Sequence, residues 1–225
     1  MVCRHSSGRR CAFESLENRQ MLAGDVTAQI RNGNLSIKGD HLDNGITIAA
    51  GATAGSVVIT GVTAGGSATT VNGGSTAVTL TGFTGKLKID MEEGNDNVAV
   101  TGLTVAGKAK IEGEGGNDTF TFTGTTFNSS LKANLGSGND TLSLTGVTVT
   151  GKAKIKGRSG TDSVTIAATS TFDKLDVSLG KDNDTLSIAG TTVHTKTKLN
   201  GGPGTNTFTN GAGNTLNGLT QKNFA

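Results

Sequence analysis

An acidic residue returns every 22 positions along this 225-residue chain, at Asp96, Asp118, Asp140, Asp162 and Asp184, and Asn206 continues the series. The local words are GNDNVAV, GNDTFTF, GNDTLSL, GTDSVTI, DNDTLSI and GTNTFTN, six copies without an insertion or deletion. Carboxylates stacked at one strand spacing repel by about 1 kcal/mol in water and several-fold more in a lower dielectric. Two chemistries relieve this. Each Asp accepts backbone N–H bonds in its own turn, beside stacked Asn95, Asn117 and Asn139. Alternatively a cation is held between turns, and Ca²⁺ takes about six to eight oxygen ligands from carboxylates and carbonyls. The candidate metal ligands are therefore Asp96, Asp118, Asp140, Asp162 and Asp184, and calcium is the one cofactor suggested.

Lysines form a second set. Lys86, Lys108, Lys152, Lys174 and Lys196 share one register, interrupted by Ser130; Lys88, Lys110, Lys132, Lys154 and Lys198 share another, interrupted by Asp176. The word KAKI alternates Lys with Ala and Ile, so these ten lysines would line one flat face. Such a face keeps a protein soluble and its edges apart. It also suits an anionic polysaccharide or envelope polymer. Nucleic acid is disfavoured, because no aromatic or Arg residue interleaves for stacking or base readout. Hydroxyls stack as well: Thr104, Thr126, Thr148, Ser170 and Thr192 in one column, Thr119, Thr141, Ser163, Thr185 and Thr207 in another.

The elements that position these residues follow from the same period. The chain has 35 Gly, 1 Pro, no Trp and no Tyr. Gly, Asn and Asp supply turns, and Thr, Val, Ile and Phe favour strands. One unit reads as a strand (119–123), a Gly124 corner with a short extended piece (126–127), a second strand (131–135) and a Gly-Ser-Gly-Asn turn. Apolar residues alternate within each strand. Stacking at 22 gives wholly apolar inward columns: Val98, Phe120, Leu142, Val164, Leu186, Phe208, and Val100, Phe122, Leu144, Ile166, Ile188. The expected fold is all-β, a right-handed parallel β-helix or β-solenoid of 22-residue coils. The inward triplets Leu87-Ile89-Met91, Ala109-Ile111-Gly113, Leu131-Ala133-Leu135, Ala153-Ile155-Gly157 and Leu175-Val177-Leu179 alternate large and small ends. That leaves open a winding of 44 residues per turn.

Four regions are expected: an arm (1–23), disordered or helical; a β-rich cap or irregular first coils (24–75), with a hairpin at Asn32-Gly33; regular coils (76–210); and a C-terminal cap (211–225). Bare strand edges would allow end-to-end or edge self-association. Cys3 and Cys11 both lie in the arm and do not staple the coils. No run approaches the roughly 20 apolar residues that span a bilayer, and no standard secretory signal is visible. The net charge of +2 is nearly neutral and does not announce a nucleic-acid protein.

Two resemblances bear on function. Arg9 to Val26, RRCAFESLENRQMLAGDV, resembles the LEPR-xLL element of planctomycete surface and secreted proteins at Phe13, Glu14, Leu16, Glu17, Arg19, Met21, Leu22 and Ala23. It departs at Asn18, where Pro or Asp is usual, and at Met21, where Leu is usual. The resemblance implies an extracellular or cell-envelope protein whose arm acts in sorting. The Asp words are similar to the calcium-binding nonapeptide GGxGxDxUx of the repeats-in-toxin family. Residues 201–209 fit every position except that Asn206 replaces Asp; the other copies keep fewer glycines. That family packs two motifs into a shorter coil, whereas this chain has one in 22 residues. Six units without insertion leave no loops to build a cleft. His5, His41 and His194 are scattered, so no enzyme is expected, a polysaccharide lyase being the remote alternative. The function expected is a structural or adhesive repeat protein stabilised by calcium, or a binding module for an anionic polysaccharide.

Overall fold

The computed structural model describes residues 24–225; the arm with its sorting-like element and both cysteines lies outside the described residues. All regular structure described is β. Asn97–Thr101, Thr119–Thr123, Thr141–Thr145, Ser163–Ala167, Thr185–Ile188 and Thr207–Asn210 pair in parallel, with Val98 opposite Phe120, Phe120 opposite Leu142, and so on to Leu186 opposite Phe208. A second sheet stacks Leu87–Asp90, Ala109–Glu112, Leu131–Ser137, Thr148–Ser159, Thr171–Lys181 and Thr192–Asn200, with Ile89, Ile111, Ala133, Ile155, Val177 and Leu199 in one column. Partners are 22 residues apart. The chain is a β-solenoid whose coil is 22 residues, and the 44-residue winding is excluded.

The core follows from the alternation. Both inward columns are buried except Phe208 at the last coil, and Val105, Phe127, Val149, Phe172 and Val193 fill the third side. Phe122 and Phe127 meet edge-on at 5.9 Å. Large and small ends oppose one another directly, Leu87 on Ala109 and Leu131 on Ala153. Neighbouring rungs therefore interdigitate at close-packed density.

One column differs from the expected one. Thr148 pairs Thr171, and Thr171 pairs Thr192, so spacings of 23 and 21 replace 22. Ala168 and Thr169 both adopt positive φ (47° and 59°) and take up the extra residue. Ser170 turns inward, fully buried, where its Oγ accepts the Val147 N–H at 3.1 Å and donates to Ala167 O at 2.7 Å. The outward hydroxyl column thus runs through Thr171, not Ser170.

At the N-terminal end, Asn34–Lys38 and Gly45–Ala50 form a first coil, set against 87–90 and 97–101 at an offset of 52. About 30 additional residues leave the path there. They return as Val57–Ala64, antiparallel to Gly45–Ala50, with Val78–Leu80 antiparallel in turn. Asp25–Arg31 pairs antiparallel with Asn34–Lys38 through Asn32-Gly33, both at positive φ as a tight hairpin turn requires. At the other end Thr215–Leu216 and Thr220–Lys222 pair in parallel with Thr192–Asn200 and extend the stack by a coil.

Candidate functional sites: an inward carboxyl column and an outward basic face

Each Asp of the column sits where the chain turns into the 97–101-type strand. Its side chain points into the coil, and all five residues are 1–2 % exposed. The N–H groups of this turn lie off the strand ladders and still need acceptors. Asp118 Oδ1 accepts the N–H of Asp96 at 2.9 Å, Asp140 that of Asp118 at 2.8 Å, Asp162 that of Asp140 at 3.0 Å, and Asp184 that of Asp162 at 2.8 Å. Asn ends the column on both sides: Asn44 N–H donates to Asp96 Oδ1, and Asp184 N–H donates to Asn206 Oδ1. These bonds run between coils, not within one turn as expected. Asn95, Asn117 and Asn139 run the other way, each accepting the N–H of residue 117, 139 or 161 in the next coil at 2.7–2.9 Å.

The second carboxylate oxygen, Oδ2, is buried without a partner in all five Asp residues. Burial pushes every carboxyl up, to about 8 at Asp96, 7 at Asp118 and Asp162, and 6 at Asp140 and Asp184. Repulsion from column neighbours adds to this at Asp96, Asp118 and Asp162, while the backbone N–H bond opposes it.

This geometry does not fit calcium. Each coil offers one unused carboxylate oxygen inside a close-packed interior, against the about six to eight oxygens that Ca²⁺ takes. Space is also short: a Cβ placed on Gly113 would stand 2.2 Å from Asp118 Oδ2 and 2.1 Å from Leu135 O, and Gly157 repeats this with Asp162 and Leu179.

The lysine columns do share one sheet face. Lys88, Lys110, Lys132, Lys154 and Lys198 stand in register, with Asp176 between the last two. Lys152, Lys174 and Lys196 align beside them, and Lys86 and Lys108 are exposed on the earlier coils. The two halves differ electrostatically. In the early coils Lys88 pairs Asp90 at 2.6 Å and Lys110 pairs Glu112, and in the later coils Lys152 pairs Asp176 at 2.5 Å and Lys174 pairs Asp173 at 3.4 Å. Carboxylate oxygens of Asp90, Glu112 and Glu114 lie within 4.8 Å of one another, so the early edge is acidic. In the later coils the same column continues through Asn134, Lys156, Ser178 and Asn200 to Lys222. A shallow cavity of about 490 Å³ lies there, lined by Lys154, Lys156, Asp176, Lys198 and Lys222 among others. Arg158, Lys181 and Glu114 line a second of about 420 Å³.

Lys156, Arg158, Lys181 and Lys222 were not among the residues singled out from sequence. Writing positions 90, 112, 134, 156, 178 and 200 as a column would have shown its change of sign. Arg158 stands out further. It holds φ of 104° in a column where Glu92 and Glu114 hold 66° and 73° and Gly136, Gly180 and Gly202 hold 126°, 122° and 92°, and its Nε donates to Asn134 Oδ1 at 2.5 Å.

Comparison with protein families matches residues 7–26 to the family described as Planctomycete extracellular. This supports an extracellular or cell-envelope location. No curated protein and no solved structure matches the chain. No helix among the described residues is long and apolar enough to cross a membrane. Fold and match together fit an extracellular structural repeat protein.

Proposed function

We propose that this protein is a non-catalytic surface module that holds an anionic envelope polymer or acidic polysaccharide against the later half of its lysine face. One observation carries the reading: Lys132, Lys154, Lys156, Arg158, Lys198 and Lys222 gather on neighbouring coils, with Asp176 beside the lysines and Glu114 beside Arg158. Successive coils repeat at about 4.8 Å. A polymer with regularly repeated carboxylates or sulfates meets such an array at many points at once. Each exposed pair contributes little alone, but linked contacts multiply. The non-catalytic part of the reading is supported by the path of the chain. From Leu87 onward it departs from regular coils by single residues only, and a cleft with converging groups is built from longer loops. The arm resembling a sorting element would act in export.

The test is retention of the full chain on immobilised polygalacturonate across a salt gradient. The fourfold change K132S/K154S/K156S/K198S should elute at clearly lower salt. The matched change K86S/K88S/K108S/K110S, in the half with the acidic Asp90, Glu112 and Glu114 edge, should elute near the parent. Equal loss in both would reduce the effect to bulk charge. Unchanged retention of the first variant would sink the reading, and release of unsaturated sugars from the matrix would replace it with a lyase.

A further inference from the structure

Asn206 reports on the state of the five carboxyls beneath it. It occupies the same place in its coil, and its Oδ1 accepts the Asp184 N–H as each Asp Oδ1 accepts the one before. Its other side-chain atom is a donor. Asn206 Nδ2 gives hydrogen bonds to Gly202 O and to Asn223 O, both at 3.1 Å. Asn223 stands one coil beyond Gly201, and a Cβ on Gly201 would meet Asn223 O at 2.2 Å and Asn206 Nδ2 at 2.7 Å. Gly113 and Gly157 have the same surroundings with one exchange. Beside Gly113 stand Leu135 O and Asp118 Oδ2; beside Gly157 stand Leu179 O and Asp162 Oδ2. Where Asn206 directs an N–H at a carbonyl, Asp118 and Asp162 place a bare oxygen beside one. Two acceptors facing each other in a buried space have no favourable arrangement unless a proton or a cation lies between them. The coordination number argues against calcium.

We propose that the inward Asp column is a ladder of neutral carboxylic acids, each accepting a backbone N–H on Oδ1 from the coil before and donating from a protonated Oδ2 to a main-chain carbonyl, as Asn206 does with its amide. Protonation gives the otherwise unpartnered Oδ2 a donor. It also removes the repulsion that five stacked charges would impose, so the column needs no counter-ion. The charged groups acting on it are its own members, Asp43 near Asp96 and Asp118, and Asp182 near Asp162 and Asp184. All are acidic and favour the neutral form. The upward displacement of all five carboxyls, to about 6 to 8, points the same way. The folded chain then holds protons that the unfolded chain releases near pH 4. Stability is full below that pH and is lost as pH rises through 6 to 8. The fold becomes an acid-favoured one, with proton uptake in the role first considered for calcium.

The experiment is thermal unfolding of the full chain from pH 4 to pH 9, with calcium and with chelator. The midpoint should fall steadily between pH 5 and pH 8 and be the same with either addition. D118N and D118N/D162N should match or exceed the parent at pH 8 and flatten the slope, because Asn keeps the acceptor and supplies the donor. Should the variants fold poorly, the infrared carbonyl band of protonated carboxyls in the folded parent at pH 6 decides the matter. Its absence overturns the ladder. So does a midpoint that rises with pH, or a calcium-dependent rise that the Asn variants abolish. Polygalacturonate retention by the same Asn variants should be unchanged, which keeps this test separate from that of the basic face.

Discussion

A single left-handed residue links strain to binding. Most non-Gly residues in this backbone region cost of order 1–3 kcal/mol and persist where function holds them. Arg158 is such a residue, at φ 104° between glycines of the coils before and after. R158G should relieve the strain and lose the bond to Asn134. The net expectation is a gain of up to about 1 kcal/mol in urea unfolding, together with weaker retention on polygalacturonate. A variant that is both less stable and an equal binder would make Arg158 merely structural. Glycines give a sharper contrast. Gly102 has φ 62° and open space within 4 Å of where a methyl would stand, so G102A should cost about 1–2 kcal/mol of backbone strain alone. G113A drives a methyl onto Leu135 O and Asp118 Oδ2 and should cost about 3 kcal/mol.

At the scale of the element, the coil was legible because its signal is redundant. Every strand repeats the alternation, and every column repeats the strand, so period and inward faces agree from Val98 to Ile188. The bulge at Ala168–Ser170 was not legible. One residue gained before Thr171 is lost again between Phe172 and Lys174, which leaves the Asp-to-Asp count at 22, so the clock hides it. The inward turn of the Asp side chains was missed for another reason. Polarity suggests an outward turn, and only the paired clues of a small residue five positions earlier (Gly113, Gly157, Gly201) and an Asn at the column's end betray the buried pocket. The acidic-to-basic change along positions 90 to 222 was open to reading but has too few members to attract notice. Packing at this scale is testable. Ala133 lies between Ile111 and Ile155. A133L should overfill that layer and cost about 1–3 kcal/mol, and I155A should cost about 2–5 kcal/mol, both by chemical unfolding.

For the whole molecule, large-ended and small-ended rungs make the pair of coils, 44 residues, the packing unit even though one coil is 22. Removing 119–140 would set Ala109-Ile111-Gly113 directly on Ala153-Ile155-Gly157, small on small. Removing 119–162 would set it on Leu175-Val177-Leu179 and keep the alternation. The longer deletion should therefore keep an unfolding midpoint closer to the parent than the shorter one; the reverse order would show that rungs contribute independently of their neighbours' size.

The pairing distance has a kinetic consequence. Beyond the first coil, each parallel strand finds its partner about 22 residues away, whatever the height of the stack. The entropy of closing that loop is the same for the last coil as for the second. A chain emerging from the N-terminal end can lay each new turn on a finished one as it appears, templated by the hairpins around Asp25–Arg31 and Gly45–Ala50. Folding time then grows in proportion to the number of turns, with no search that lengthens with the whole chain, so a stack of this design can be extended without becoming harder to fold.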